Sequence, residues 1–343
     1  MHTAQPDPSH IMQVGMGFWA SKTLLSAVEL GLFSLLARQP APARAIEDKL
    51  RLHPRATADF LDALVALRFL VREGDGADAV YGNAPDTQLF LDRASPHYIG
   101  GILEMANARL YLFWNGLTSA LQTGQPQNEV KDGGTNVFEA LYAYPAKLEG
   151  FLNAMSGISM GNFHAFAQKF DFRRYKTMLD VGGATGQLSR IVARQHAHLA
   201  ITSFDLPPVE PIAKRQIAEA GLADRVATAS GDFFTQPLPK ADLITMGNVL
   251  HDWNLEKKTS LLRSVYEALP SGGAFVAIEN VIDDARRTNV FGLLMSLNML
   301  IEFGDAFDYT GADFDRWCRE IGFARTEVIH LAGPASAAIA YKA

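Results

Sequence analysis

The chain of 343 residues has few of the residues that define several protein classes. Cys318 is its only cysteine, which excludes an internal disulfide framework, a cysteine-rich zinc site and a dithiol redox mechanism. Lysine and arginine number 31 against 37 acidic residues, so a net charge of −6 gives no general attraction to nucleic acids or anionic membranes. The apolar runs are shorter than a membrane span, and the first residues lack a signal-peptide pattern. These absences predict a cytoplasmic protein without a nucleic-acid or membrane partner.

The N-terminal part has the pattern of a winged helix. Residues 11–37 place large apolar side chains at three- and four-residue spacing, which predicts amphipathic helices. A short helix over 46–52, a longer helix over 55–69 and a strand near Val80 follow, with a glycine-containing turn before the strand. This order predicts a winged-helix-like domain over residues 1–95.

Winged helices often bind DNA, but the second helix argues against that use here. Its charged residues sum to zero, whereas a recognition helix needs arginine or lysine to reach bases and phosphates. They are Arg55, Asp59, Asp62 and Arg68. A scaffold or dimerisation role is therefore favoured, and a ligand-responsive DNA-binding protein is the alternative from a different class.

Two further regions follow the winged helix. Residues 96–170 are helical in pattern and rich in aromatic residues and methionine, which predicts a helical linker that also forms an acceptor pocket. From residue 171 to 343 strands alternate with helices, which predicts an α/β domain with a mainly parallel, doubly wound sheet. In such sheets ligands bind at the carboxyl ends of the strands. The predicted strands are Thr177–Val181, Ala200–Asp205, Arg225–Ser230, Asp242–Val249 and Ala274–Ile278.

Acidic residues stand at the ends of three successive predicted strands. The first strand runs into the glycine-rich turn 180–186, and Asp205 closes the second strand at a spacing suited to both ribose hydroxyls of a nucleoside. The third strand is followed by Asp232, which can accept from an adenine amino group, and by aromatic Phe233. Any one of these aspartates alone is better explained as a helix cap, so their joint placement carries the prediction.

The glycine turn distinguishes two kinds of nucleotide cofactor. The nicotinamide fingerprint G-x-G-x-x-G is matched by Gly183 and Gly186, but Val181 stands where its first glycine belongs. NAD is therefore a minor alternative, and a cofactor without phosphates, S-adenosylmethionine, fits the turn better.

Six ordered motifs resemble one enzyme family. In order and spacing they resemble the small-molecule O-methyltransferases of the plant caffeic acid and hydroxyindole type, which have many bacterial relatives. The motifs are LDVGGATG (179–186), FDLPPV (204–209), GDFF (231–234), VLHDW (249–253), ALPSGG (268–273) and the closing Gly322-Phe323. The resemblance implies a homodimer formed through the N-terminal domain and a Rossmann-like class I methyltransferase domain that binds S-adenosylmethionine.

The resemblance also assigns roles to single residues. It implies that His251 is the general base and that Glu279 and Asp308 hydrogen-bond its ring. The ring must be neutral before methyl transfer, and Asp252 is expected to secure the loop. Cofactor contacts are expected from Asp180, Gly182, Gly183, Gly186, Asp205, Leu206, Asp232 and Phe233. The acceptor pocket is expected to include Phe151, Met155 and Met299, and no residue is assigned to a metal.

Three departures from the family pattern concern mainly the acceptor side. Ala184 replaces a glycine, Gly247 stands where plant enzymes have a cofactor-contacting lysine, and Tyr309 stands where they have arginine. From the resemblance as a whole we predict methyl transfer to a hydroxyl of a small aromatic secondary metabolite. The alternatives are carbon methylation of an α-keto acid, with a metal held by His251, Glu279 and Asp308, and a catalytically inactive cofactor-binding module.

Overall fold

The computed structural model describes residues 6–131 and 144–343, and the chain divides into two compact units, Met1–Leu112 and Phe113–Ala343. The predicted linker and acceptor region, 96–170, contains residues 132–143, which lie outside the described residues. Its boundaries at residues 95 and 170 stay a prediction.

The first unit combines helices with a small antiparallel sheet. Strands β1 (Ala41–Pro42), β2 (Leu70–Glu73) and β3 (Val80–Asn83) lie in the order β1-β3-β2. The helices are Ser9–Gly15, Gly17–Glu29, Leu32–Arg38, Ala43–Leu50, Pro54–Ala66, Pro85–Phe90 and Gly100–Met105. The predicted order of two helices followed by a β2–β3 hairpin is therefore present, and residues such as Phe33, Ile46 and Leu61 form a buried core.

Apolar side chains of the first two helices fall into two groups. Leu25 and Val28 are buried in the core of the first unit, whereas Phe18, one of the apolar residues that predicted these helices, is 51% exposed. Ile11 and Trp19 are 72% and 63% exposed. The first two helices thus present apolar surface that the described part of the chain does not cover.

The second unit contains a seven-stranded sheet. Strand order is β6-β5-β4-β7-β8-β10-β9, with β4 to β8 parallel and β10 antiparallel to β8 and β9. The strands are β4 (Thr177–Val181), β5 (Ala200–Asp205), β6 (Val226–Ser230), β7 (Leu243–Gly247), β8 (Ala274–Glu279), β9 (Arg325–Ala332) and β10 (Ala335–Tyr341). The helices include Leu117–Thr123, Pro145–Lys169, Gln187–Gln195, Glu210–Glu219, Leu255–Ala268, Val290–Phe303 and Gly311–Ile321. The predicted α/β fold is confirmed.

Both faces of the large sheet are buried. Because successive side chains of a strand point to opposite faces, Met178 and Leu179 belong to two different core clusters. The chain moves outward from β4 through β5 to β6 and then returns to β7 on the other side of β4. This reversal of strand order creates a crevice at the carboxyl ends of β4 and β7, where ligands bind in such sheets.

Strand β7 ends two residues earlier than predicted, at Gly247 instead of Val249. Asn248 has a φ of 53°, a left-handed conformation that takes the chain out of the strand and that asparagine tolerates better than most residues. The hairpin of β9 and β10 at the sheet edge was not predicted.

Within the described residues no single helix is long and apolar enough to span a membrane. The segments Ser9–Glu29 and Leu32–Arg38, which meet at a bend of 58°, reach that length and hydropathy only as a pair.

Candidate active site

The turn after β4 is a backbone cradle that tolerates no larger residue. Gly182 has a φ of 71°, and a Cβ on it would lie 2.5 Å from Val249. A Cβ on Gly183 would lie 2.2 Å from the Ser203 hydroxyl, and Gly186 has a φ of 71° at the start of helix Gln187–Gln195. The glycines let the main chain pack tightly against β5 and the loop after β7, and the amides of Gly182 and Gly183 donate to the carbonyl of Phe204.

Asp180, in β4 just before this turn, is hydrogen-bonded to the helix that follows the turn and to β7. Its buried carboxylate accepts hydrogen bonds from the Ser189 hydroxyl at 2.9 Å and the Thr245 hydroxyl at 3.1 Å. Burial raises the pKa of Asp180 to about 6. Since protein hydroxyls occupy both of its oxygens, its direct contact with a cofactor stays a prediction.

Asp205 connects the glycine turn to the end of β5. Its Oδ2 accepts from the Ala184 amide at 2.9 Å and its Oδ1 from the Leu206 amide at 2.7 Å, and burial raises its pKa. Asp232, after β6, accepts from the Phe234 amide at 2.9 Å. The structure thus brings the predicted turn and both carboxylates to one edge of the sheet.

Phe233 lies beside the loop that follows β7. Its ring is half-buried and meets the Trp253 ring edge-on, with centroids 6.1 Å apart. The aromatic surface predicted for an adenine is therefore fixed against the segment that carries His251.

His251 is buried on a short helical turn, Leu250–Asp252, after β7. Its Nδ1 lies 3.3 Å from Oδ1 of Asp308, and its Nε2 lies 3.4 Å from Oδ1 of Asp252. Asp308 is therefore next to the ring, and the hydrogen bond that the resemblance implied stays a prediction. Asp252, which was expected only to secure the loop, also faces the ring.

Glu279 contacts the His251 loop differently from the prediction. Its Oε1 accepts from the main-chain amides of Val249, Leu250 and His251, at 3.1, 2.7 and 3.1 Å. These three bonds replace the predicted hydrogen bond to the ring, because the loop turns its amides toward the end of β8. Glu279 thus acts on His251 through the main chain.

Electrostatics at the ring favour a protonated histidine in the free enzyme, and a neutral ring before methyl transfer stays a prediction. Burial alone would lower the pKa of His251, but Asp252, Asp308 and Glu279 together outweigh it and raise the pKa to about 10. Burial also raises the pKa of Asp252 to about 6. The carboxylates around the ring therefore favour its protonated form, an imidazolium.

The predicted acceptor residues lie on two helices. Phe151 and Met155 belong to Pro145–Lys169, and Phe151 packs with Ala184 and Leu206. Met299 is buried on Val290–Phe303, a helix that also contacts the Leu250–Asp252 turn. The two helices therefore contact the glycine turn and the histidine loop respectively.

Sequence reasoning missed several polar contacts of this region. The Ser156 and Thr185 hydroxyls are 2.7 Å apart and join helix Pro145–Lys169 to the glycine turn. The side-chain amide of Asn248 donates to the buried Ser159 hydroxyl at 2.8 Å. The one signal in the sequence was an asparagine inside the predicted strand Asp242–Val249, since asparagine is disfavoured within strands and tolerates a left-handed conformation.

Packing explains one departure from the plant pattern. A Cβ on Gly247 would lie 2.9 Å from the Phe163 ring, so Phe163 closes the space into which a side chain at this position would extend. A lysine at position 247 is incompatible with this packing.

Among residues 6–131 and 144–343, no group of three histidine, cysteine, aspartate or glutamate side chains is arranged to hold a metal ion. His251, Glu279 and Asp308 do not form such a group. The metal-assisted alternative therefore lacks its ligand set in the described part of the chain.

Comparison with known proteins defines the class. The O-methyltransferase domain family matches residues 114–324, and the O-methyltransferase dimerisation domain matches residues 12–93. A polyketide enzyme of Streptomyces glaucescens, the tetracenomycin 8-O-methyl transferase TcmO, is 40% identical over 99% of this chain and 98% of its own. The N,N-dimethyltransferase OxyT of Streptomyces rimosus is 38% identical over 91% and 90%.

A solved structure agrees with these matches. Human N-acetylserotonin methyltransferase in complex with S-adenosylmethionine superposes with a TM-score of 0.91 at 28% identity, covering 100% of this chain and 99% of that one. The molecule is thus an S-adenosylmethionine-dependent methyltransferase. The chain belongs to the O-methyltransferase family, which confirms the predicted family, fold and cofactor.

We expect Asp205→Ala to weaken S-adenosylmethionine binding by about 10- to 100-fold, because a charge-assisted hydrogen bond contributes about 1.5–3 kcal/mol. Isothermal titration calorimetry measures the dissociation constant. Asp224→Ala, at an exposed aspartate before β6, is the matched control. Equal affinity in the two variants would show that Asp205 does not contact the cofactor.

Proposed function

We propose that the enzyme methylates a hydroxyl group of a small aromatic secondary metabolite and that His251 accepts the hydroxyl proton. The observation that carries the proposal is the buried ring of His251 between Asp308 and Asp252, at the crevice where β4 and β7 end. The similarity to a polyketide 8-O-methyl transferase supports this acceptor class.

The residues at the crevice fit S-adenosylmethionine. The glycine turn would face the amino-acid part, Asp205 the ribose hydroxyls, and Asp232 with Phe233 the adenine. Half-buried carboxylates at the ends of β5 and after β6 suit hydroxyl and amino donors, and Gly182 and Gly183 place no side chain in that part of the turn. When bound, the cofactor supplies a methyl group on a sulfonium, which is already activated for transfer.

The chain's part is to hold the acceptor oxygen and manage its proton. An oxygen held in line with the methyl carbon, at about 3–3.5 Å, gains about 7–11 kcal/mol from positioning. With the cofactor bound, the oxygen would form its bond to the methyl carbon as the carbon–sulfur bond breaks and its electron pair goes to sulfur. His251 would keep the hydroxyl proton, so the positive charge lost from sulfur would end on an imidazolium beside Asp308 and Asp252.

The raised pKa of His251 suits this proton transfer. A phenol has an ordinary pKa of about 10, and the carboxylates raise the pKa of His251 to about 10, so the proton has nearly equal affinity for both. The pair formed by a neutral His251 ring and a phenol holds the same number of protons as the pair formed by an imidazolium and a phenolate. An acceptor that binds in its ionised form therefore pairs directly with the imidazolium present in the free enzyme.

We expect His251→Gln to lower turnover of a phenolic acceptor by about 10²- to 10⁴-fold, because the proton acceptor is lost. Cofactor affinity should stay unchanged, since the ring binds the acceptor. Methyl-labelled S-adenosylmethionine with a panel of phenols, hydroxyquinones and aromatic amines, analysed by mass spectrometry, measures the transfer.

Normal turnover in the His251→Gln variant would refute the assignment of the proton acceptor while leaving the methyltransferase reaction intact. The amines in the panel address a second candidate function, favoured by the 38% identity to an N,N-dimethyltransferase. Label found only on nitrogen would replace the hydroxyl acceptor by an amine.

We also propose that the N-terminal unit forms a homodimer. The dimerisation-domain match covers residues 12–93, and it includes the exposed apolar side chains on helix Gly17–Glu29. A second copy of the chain would remove this surface from water, at about 25 cal/mol for each Å² of apolar area.

We expect Trp19→Glu to convert a dimer into monomers, because a charge would be buried in the contact. Size-exclusion chromatography with light scattering measures the mass of each species. Lys49→Glu, at an exposed position of helix Ala43–Leu50, adds the same charged side chain outside this face and should remain dimeric. A wild-type monomer, or an unchanged dimer in the Trp19 variant, would contradict the proposal.

A further inference from the structure

A buried lysine lies next to the proposed site, and neither the motifs nor the proposed chemistry use it. Lys258 is 0% exposed, although it lies in the first two turns of helix Leu255–Ala268. Burial disfavours a charge, and the N-terminus of a helix disfavours a cation. Burial accordingly lowers the pKa of Lys258 to about 8. A cation in this place needs specific compensation.

The compensation comes from main-chain carbonyls of two separate segments. The Nζ of Lys258 donates to the carbonyls of Trp253 and, at 3.5 Å, of His251, both in the loop after β7. It also donates to the carbonyl of Phe307 at 2.8 Å and lies 3.9 Å from the centre of the Phe307 ring. Phe307 directly precedes Asp308, so one ammonium connects the segments that carry the histidine and its aspartate.

Charged groups around Lys258 come from each neighbouring segment. Asp252 and His251 lie on the loop after β7, Glu279 at the end of β8, and Asp305 and Asp308 on the loop after helix Val290–Phe303. Asp305 also accepts from Asn254, the N-cap of the lysine's own helix, at 2.7 Å. Tyr309 is buried beside Glu279 and Asp308.

We propose that Lys258 is a positioning residue for methyl transfer, whose ammonium ties the main chain of the His251 loop to the main chain beside Asp308 and so holds the two side chains together. The proposal rests on the proposed role of His251 as proton acceptor. Lys258 does not touch the acceptor in this arrangement. Its charge also opposes a second positive charge on the ring, since like charges disfavour each other.

Lys258→Met tests the proposal, since methionine has a similar length without charge or donors. We expect kcat for a phenolic acceptor to fall about tenfold or more at neutral pH, with the dissociation constant of S-adenosylmethionine unchanged. Because Lys258 loses its charge near pH 8, we expect the wild-type profile of kcat to show a step near that pH and this step to be missing in Lys258→Met, which shifts its pH profile. An unchanged pH profile would overturn the proposal.

Lys342→Met is the matched structural control. Lys342 donates to the carbonyls of Tyr266 and Leu269, at 2.6 and 2.7 Å, and lies over the Tyr266 ring, but the structure gives it no carboxylate of the site as a partner. This variant loses contacts of the same kind and should keep the wild-type pH profile. A similar pH shift in both variants would show a general effect of lost stability and would also overturn the proposal.

A second readout needs no acceptor. In protein labelled with ¹³C-histidine, the ring signals of His251 are identified as those missing from the nuclear magnetic resonance spectrum of the His251→Gln variant. We expect them to shift near pH 8 in the wild type, where Lys258 loses its proton, and this step to be missing in Lys258→Met. A step that persists would contradict the coupling. Lys258→Gln, which keeps two N–H donors without the charge, serves the same test if the methionine variant does not fold.

The double variant, His251→Gln with Lys258→Met, distinguishes a failure of this proposal from a failure of the proposed function. If His251→Gln retains turnover, the proton-acceptor role fails, while the nuclear magnetic resonance titration still tests the link between Lys258 and the ring. If His251→Gln loses turnover, adding Lys258→Met should lower it no further, because the lysine acts through the histidine. A further loss of the same factor would show an independent role and overturn the positioning proposal.

Discussion

The site depends on one buried carboxylate that accepts three main-chain hydrogen bonds. Glu279, the last residue of β8, binds the consecutive amides of residues 249, 250 and 251 and so fixes the path of the chain as it leaves β7. A carboxylate with several amide donors is a strong acceptor, and each buried donor left unpaired would cost about 1–3 kcal/mol. The orientation of the His251 ring follows from this main-chain anchor.

Around the anchor, groups of opposite charge are collected in a small buried volume. Three carboxylates, Asp252, Glu279 and Asp308, face two cations, His251 and Lys258. The same carboxylates that favour an imidazolium in the free enzyme would stabilise the imidazolium formed after methyl transfer. The arrangement therefore binds a proton tightly and suits an acceptor whose hydroxyl ionises readily.

The sequence predicted the parts of the fold that follow from local patterns. Strand ends at Val181 and Asp205 were predicted because apolar runs stop there at glycine or acidic residues, and the parallel sheet then brings those ends together. The contact between His251 and Asp308 came from the family resemblance.

Contacts set by distant packing could not be predicted in this way. Glu279 was expected to bind the ring, but which group its carboxylate meets depends on how the loop after β7 is turned by the left-handed Asn248. The burial of Lys258 depends on a loop about fifty residues away in sequence, and a lysine on a helix is ordinarily read as a solvated charge. The raised pKa of His251 could not be predicted either, because the sequence did not show that Asp252 faces the ring as well.

The central claim is that carboxylates beside His251 set the proton affinity of the group that accepts the hydroxyl proton. The most direct measurement is the pH dependence of kcat with a phenolic acceptor at saturating S-adenosylmethionine, in the wild type and in Asp308→Asn. Because Asp308 raises the pKa of His251, its removal should move the lower limb of the profile to lower pH and reduce the maximal rate. A limb that stays in place would show that His251 and Asp308 do not control the proton, contradicting the account.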